Sequence, residues 1–236
     1  MFSKSEAYYD ALYEALGKDY AKETEKTHKL IQKYCQSGGV NLLDVACGTG
    51  THAGYLSKYY KVEGMDIDLN MVSLARKKHE KIRFFQGNMI DFNLNRRFDA
   101  ITCLFSSIGY AKTKANLSKA IKTMARHLRD GGVILIEPWF TSEQWTVGHV
   151  HPLHASAPDL KITRMSHSNR RGNISVLEFH YLVGTEKGIE HFTEKHELGL
   201  FSHKDYLNAF RSANLEVFHD KKGLDGRGLY IGRKTK

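Results

Sequence analysis

A chain of 236 residues, 41% of them hydrophobic, can fill one full core, and it holds no apolar run near the ~18–20 residues of a membrane-crossing helix. The formal net charge of +9 admits an anionic partner, either nucleic acid or a small phosphorylated ligand, but it is spread along the chain and chooses neither. Cys35, Cys47 and Cys103, an odd number without a C-x-x-C pair, argue against a disulfide framework or a zinc site and suit a reducing cytoplasm; the polar N-terminus MFSKSEAYYDALYEALGKDY lacks the features of a signal peptide.

Residues 5–16 place Tyr8, Leu12 and Leu16 on one helical stripe with Tyr9 and Tyr13 beside it, and 19–36 reads as a second, more charged helix. An alternation then begins. Strands are predicted at 41–47, 61–67, 82–87, 98–106 and 133–140, and helices at 51–60, 70–79 and 114–128, the last stopped by Asp130-Gly131-Gly132. Strands alternating with helices of this length imply a parallel sheet covered on both faces. The rhythm changes after Phe140. All three prolines fall in one stretch, and β-type runs separated by turns at Arg171-Gly172-Asn173 and Glu186-Lys187-Gly188 predict an antiparallel meander over 160–201. A helix at 203–214 and strands at 215–223 and 226–234 close the sheet. The expected organisation is an α/β core of residues 1–140 and 203–236 carrying an inserted antiparallel β subdomain at 141–202.

The stretch NLLDVACGTGTHAGYLSKYYKVEGMDID is a strand, a glycine turn, a helix and a second strand. Its spacing is G-x-G-x-x-x-G with Asp66 after the second strand. Glycines let the backbone approach a ligand, the helix N-terminus favours a negative group, and the acid accepts ribose hydroxyls. Those physics serve a nicotinamide dinucleotide and S-adenosylmethionine (SAM) equally. Three features favour SAM. Asp44 is a polar residue in an apolar strand, expected to hydrogen-bond to the turn. QGNM (86–89) stands where a side chain could read an adenine edge. The chain ends in a strand pair and not in a second mononucleotide half.

With these features the sequence resembles the class I SAM-dependent methyltransferases over nearly its whole length, through LLDVACGTGTH, GMDIDLNMVSLARKK, FFQGNMIDF, FDAITCLFSSIGY and LRDGGVILIEPWF in that order. It is similar in particular to the N,N-dimethyltransferases of TDP-linked 3-amino-deoxysugars, through YDALYEALGKDYAKE, FSSIGYAKT, EPWF, HFTEKHELGLF and GRGLYIG. The resemblance implies a seven-stranded Rossmann-like sheet, a meander over the site, SAM as cofactor and a nucleotide-linked amino sugar as substrate. Asn88 departs from the family's usual Q-G-D-M: an amide carbonyl accepts from the adenine amino group more weakly than a carboxylate.

The expected SAM site comprises Ala46, Gly48 and Gly50 at the methionine end and Asp66 and Ile67 at the ribose. Met71, Asn88 and Met89 are expected around adenine, Phe105 beside the turn after the fourth strand, and Tyr20 at the carboxylate. Tyr13 is expected at the acceptor amine, where its hydroxyl orients the nitrogen. Trp139, His167 and Arg227 are expected on the sugar nucleotide, the arginine gripping a pyrophosphate. His196, like His167, could face the site from the meander but reads more readily as structural, Arg164, Arg170 and Arg171 are weaker candidates, and His127 reads as a cation on a helix C-terminus. No metal is expected. The alternative function is a SAM-dependent O-methyltransferase. A nucleic-acid methyltransferase ranks low, because FSSIGY stands where an Asn/Asp-Pro-Pro-aromatic motif is needed. No nucleic acid or membrane partner is expected, and the chain is expected to be a monomer or homodimer.

Overall fold

In the computed structural model, which describes residues 4–235, the alternating region becomes β1 (Asn41–Val45), β2 (Lys61–Asp66), β3 (Arg83–Gln86), β4 (Phe98–Cys103) and β5 (Leu128–Ile136). Between them run α3 (Thr51–Leu56), α4 (Leu69–Lys78) and α5 (Lys114–Arg126). Two helices precede the sheet, α1 (Tyr9–Ala15), entered through a 3₁₀ turn at Glu6–Tyr8, and α2 (Tyr20–Tyr34). Their starts are fixed locally. Asp19 accepts from the Lys22 amide, Asp68 from those of Asn70 and Met71, and Thr113 from that of Asn116, each satisfying donors that a helix N-terminus leaves open.

After β5 come β6 (Val150–Ala157), β7 (Leu160–Arg171), β8 (Ile174–Thr185) and β9 (Gly188–Gly199), then α6 (His203–Ser212), β10 (Leu215–Asp220) and β11 (Leu229–Lys234). One sheet has the order β10-β11-β5-β4-β1-β2-β3, parallel except for β11, which runs antiparallel to both neighbours. The strand order reverses between β1 and β4, and in such sheets a ligand crevice opens at that point beyond the carboxyl ends of the strands. The second sheet, β6-β7-β8-β9, is an antiparallel meander. Leu12 of α1 is buried against its inner face with Leu153, Ile162 and Tyr181. The N-terminal helix therefore lies between the meander and the crevice.

The structure corrects four expectations. The meander has a fourth strand, β6, whose Pro152 is tolerated because β6 is an edge. Asp130-Gly131-Gly132 does not stop α5, which ends at Arg126; it lies inside β5, where the pairing with β4 skips from Phe98↔Leu128 to Ala100↔Val133. Gly131 sits there at φ +79° with its carbonyl accepting from the Gln36 amide at 2.7 Å. Asp44 bonds to the Thr102 hydroxyl at 2.8 Å and not to the glycine turn, and burial pushes its carboxyl up to about 6. His127 is no cation: Nδ1 donates to the Thr123 carbonyl and Nε2 accepts from the Leu94 amide, an arrangement open only to the neutral ring, and burial lowers its pKa.

Candidate active site

The turn after β1 is a run of left-handed residues: Ala46 (φ 57°), Gly48 (φ 55°) and Gly50 (φ 76°). Asp66 at the end of β2 holds it. One carboxylate oxygen accepts from the Gly48 amide and the other from the Asp68 amide, both at 2.9 Å. Burial raises the Asp66 pKa against these donors. A Cβ built on Gly48 would meet nothing within 4 Å, so the backbone faces open space here, whereas one on Gly50 would lie 2.8 Å from the Phe84 ring. The first glycine leaves room for a ligand, and the second permits packing of α3 on the sheet.

The N-terminal helices are latched over this turn by two carboxylates. Asp10 of α1 accepts from the hydroxyls of Thr49 and Thr51 and from Lys78. Burial pushes its pKa up, but these donors bring it below the usual value. Glu23 of α2 pairs with Lys18 at 2.7 Å and with His52 Nε2 at 2.8 Å. Tyr20, at the start of α2, reaches the recess behind the turn with Gly48 and His52, and its buried hydroxyl has no hydrogen-bond partner. An unpartnered buried donor beside an open glycine backbone fits the carboxylate end of SAM.

Three cavities meet at this place. The small recess behind the turn is walled by Tyr9, Tyr20, Ala46, Gly48, Phe105 and Ser107 among others. A cavity of about 260 Å³ beyond β2 and β3 is lined by Ala46, Ile67, Gly87, Asn88, Met89 and Tyr110. A cleft of about 1030 Å³ runs between α1, α2 and the meander past Tyr13, Trp139, Arg164 and Arg227. Ala46 borders the first two, Tyr110 the second and third, and Tyr9, Phe105 and Ser107 the first and third. The recess, the adenine-sized cavity and the cleft thus share walls around one point. The hydroxyls there are neutral: burial raises the pKa of Tyr9, Tyr13 and Tyr110.

Cations line the cleft. Arg164 of β7 is buried over the Phe179 ring at 4.4 Å, with Nε and Nη1 unpartnered. Arg227 donates to Glu137 at 3.1 Å, pairs with Asp225, and lies 5.8 Å from the Trp139 ring. Glu137 is fully buried at the end of β5, and its other oxygen accepts from the Phe105 amide at 2.5 Å. Burial raises its pKa while Arg227 opposes the shift. This carboxylate therefore joins the arginine of the closing hairpin to the strained loop after β4, where Phe105 and Ser106 have φ of 51° and 59°. Lys22 and Lys222 add positive charge along the outer wall, where Lys26 is paired with Asp220 and Lys29 with Glu25.

Most expected site residues lie together. Tyr13, Trp139 and Arg227 line the cleft, Ile67, Asn88 and Met89 the adenine-sized cavity, and Tyr20, Ala46 and Gly48 the recess, with Phe105 on the wall between recess and cleft. Four line none of the three cavities. Asp66 holds the turn through the Gly48 amide, and Gly50 is turned toward the Phe84 ring. Met71 is 3% exposed, because the period of α4 turns it inward with Val72 and Ala75. His167 is on the outer, exposed face of β7, since alternation from Ile162 gives the inner face to Arg164 and Ser166. Sequence reasoning passed over Tyr9, Ser107, Tyr110, Glu137 and Glu194 and underrated Arg164 and His196. For Arg164 the signal was present: it shares the phase of apolar Ile162.

Residues 42–132 match the family model described as a methyltransferase domain. Over 226 residues the chain is 39% identical to the dTDP-3-amino-3,6-dideoxy-alpha-D-glucopyranose N,N-dimethyltransferase of Streptomyces fradiae, covering 95% of this chain and 88% of that one. The crystal structure of Streptomyces venezuelae DesVI superposes with a TM-score of 0.91 at 38% identity, over 96% of this chain and 97% of that one. SAM-bound CalS10, an amino pentose methyltransferase from Micromonospora echinaspora, superposes with a TM-score of 0.88 at 33% identity over 97% of each chain. With a methyltransferase sheet, a glycine turn left open at Gly48 and relatives matched along nearly the whole length, the chain belongs to the family of SAM-dependent sugar N,N-dimethyltransferases.

Proposed function

We propose that the protein transfers two methyl groups, one after the other, from SAM to the amino group of a dTDP-linked amino-deoxysugar. The observation that carries this reading is the meeting of three cavities at a ring of neutral hydroxyls, with cations along the cleft that leads away from it. It is supported by relatives whose names give dTDP-3-amino and dTDP-4-amino sugars as substrates.

The cofactor supplies a methyl group already activated by its sulfonium. The chain's own task is to bind, align and exclude water. Gly48 would bring the backbone to the methionine end, and Tyr20 would donate to its carboxylate. The Asp66 oxygens, each already holding one backbone amide, accept the ribose hydroxyls through their remaining lone pairs. Asn88 accepts from the adenine amino group, with Ile67 and Met89 flanking the ring. On the acceptor side Trp139 walls the sugar, and Arg227, held by Glu137, faces the diphosphate.

Tyr13 stands edge-on to Phe105, their ring centroids 4.7 Å apart. Its neutral hydroxyl orients the amine lone pair toward the methyl carbon. Holding reactants in line can remove ~7–11 kcal/mol of a barrier in favourable intramolecular reactions, so orientation accounts for most of what the protein must do. Incubation with SAM and dTDP-3-amino-3,6-dideoxyglucose, read by mass, is expected to give products heavier by ~14 and then ~28 Da, one methylene per transfer. An unmethylated sugar nucleotide, with SAM bound, would refute the proposal.

A further inference from the structure

Resting on that reading of the cleft, we propose that Glu137 couples the two sites: a diphosphate held by Arg227 tightens the binding of SAM, and SAM tightens the binding of the sugar nucleotide by the same factor.

The connection is short. Glu137 is fully buried at the end of β5 and has one partner on each side. Its Oε1 accepts from Arg227 Nη2 at 3.1 Å, and its Oε2 accepts from the Phe105 amide at 2.5 Å. Beyond Arg227 lies the acceptor cleft. Phe105 walls the recess behind the glycine turn, together with Ala46 and Gly48. Its ring packs edge-on against Tyr13 and lies 3.9 Å from the Lys18 ammonium, itself part of the Lys18–Glu23–His52 latch of α2. One buried carboxylate thus stands between the grip on the diphosphate and the wall of the cofactor recess.

Both ends have a reason to move. Phe105 and Ser106 are left-handed at φ 51° and 59°, an unfavourable conformation for residues with a side chain. Two bonds oppose its relaxation, from the Phe105 amide to Glu137 and from the Ser106 hydroxyl to the Pro138 carbonyl at 2.6 Å. On the other side, Arg227 lies between Gly226 and Gly228, at φ 96° and 89°, in the connection from β10 to β11. It is shared by two carboxylates, buried Glu137 and exposed Asp225.

The sign follows from what happens when Arg227 turns outward with Asp225. Glu137 is then a buried carboxylate without its counter-ion, a costly state. Burial raises its pKa and the guanidinium opposes that rise, so loss of the arginine favours the neutral acid. A neutral carboxyl accepts from the Phe105 amide more weakly than a carboxylate, and the strained loop is released. A diphosphate in the cleft draws Arg227 to its inward position over Trp139 and Phe140, with ring centroids at 5.8 and 5.6 Å, where Nη2 also reaches Glu137. Direct repulsion between the diphosphate and Glu137 is offset by the cation between them. Each ligand therefore favours the same arrangement of the hairpin and the loop, and the coupling is positive.

The test is calorimetric titration of the full chain with S-adenosylhomocysteine, alone and with saturating dTDP, and the reverse titration with dTDP. In the wild type, dTDP should lower the Kd of S-adenosylhomocysteine about tenfold, and S-adenosylhomocysteine should lower that of dTDP equally. In Glu137→Gln the amide oxygen still accepts from Phe105 while the NH2 group faces Arg227. This variant should bind S-adenosylhomocysteine alone within about threefold of wild type and respond to dTDP by less than about twofold. Asp225→Asn, a surface change that weakens the outward position of Arg227, should tighten S-adenosylhomocysteine binding about threefold with no dTDP present. Wild-type protein that binds dTDP with no change, or a loss, in S-adenosylhomocysteine affinity would overturn the coupling and leave the proposed function intact. So would full coupling in Glu137→Gln, or unchanged S-adenosylhomocysteine binding in Asp225→Asn. Wild-type protein that binds S-adenosylhomocysteine but no dTDP would overturn the placing of a diphosphate at Arg227 and the coupling with it.

Discussion

Glu194→Gln probes how the N-terminal helices are fastened over the site. The carboxylate is 6% exposed and accepts from the Lys4 amide at 2.8 Å, the Ser5 amide at 3.0 Å and the Ser5 hydroxyl at 2.7 Å. These donors, with His196, hold its pKa at about 2 against an ordinary 4.5. A difference of roughly 2.5 units at ~1.4 kcal/mol per unit corresponds to about 3 kcal/mol of stability from the ionised group. Counting bonds gives a similar figure, because hydrogen bonds to a charged acceptor contribute ~1.5–3 kcal/mol each and the amide keeps the neutral part of each. The sign follows from the depressed pKa. The contribution is complete above the unfolded value and is lost as pH falls toward the folded one. Glu194→Gln should therefore cost about 3 kcal/mol at pH 7, or ~6–12 °C in Tm for a chain of this size, and about 2 kcal/mol at pH 3.5. Urea denaturation of both proteins at the two pH values measures it. A loss below about 1 kcal/mol at pH 7, or one that grows on acidification, would show that the carboxylate is not the clasp described.

The two glycines of the turn should separate folding from binding. Gly50→Ala should cost about 2–5 kcal/mol in urea denaturation, combining left-handed strain with a Cβ driven against Phe84. Gly48→Ala, with strain but open space, should cost only ~1–2 kcal/mol yet weaken S-adenosylhomocysteine binding more than tenfold by calorimetry; unchanged affinity would remove the turn from the site. Asn88 Oδ1 already accepts from the Ile90 amide at 3.0 Å. Asn88→Asp keeps that bond and offers a charged oxygen to the adenine amino group, so SAM should bind about fivefold more tightly, and weaker binding would place adenine elsewhere. Tyr13→Phe should lower kcat by ~10–100-fold, and a loss beyond ~10⁴-fold would make Tyr13 an obligatory base instead of an orienting group.

Features of the fold with local causes were legible in the sequence, and long-range pairings were not. The glycine turn and the alternation of strand and helix depend on neighbours a few residues apart. β6 escaped because VHPLHASA carries a proline and three polar residues, and among the described residues its one strand partner is β7. The links that build the acceptor side join Tyr110 to His196, Ser5 to Glu194 and Glu137 to Arg227, and nothing in their local sequence announces a partner.

The two meander histidines show how far strand phase alone could have gone. A strand turns successive side chains to opposite faces, so a single apolar residue known to face inward sets the phase for the rest. In β7 buried Ile162 gives the inner face to even-numbered positions, which admits Arg164 and expels His167; in β9 Leu198 does the same and admits His196 and Glu194. Charged or titratable residues in the phase of the core are either paired or functional, because burial without a partner costs several kcal/mol. By that criterion Arg164, Glu194 and His196 were the meander residues to single out. Glu194 clasps the segment before α1, His196 holds the Tyr110 hydroxyl, and Arg164 presents unpartnered guanidinium nitrogens in the wall of the acceptor cleft.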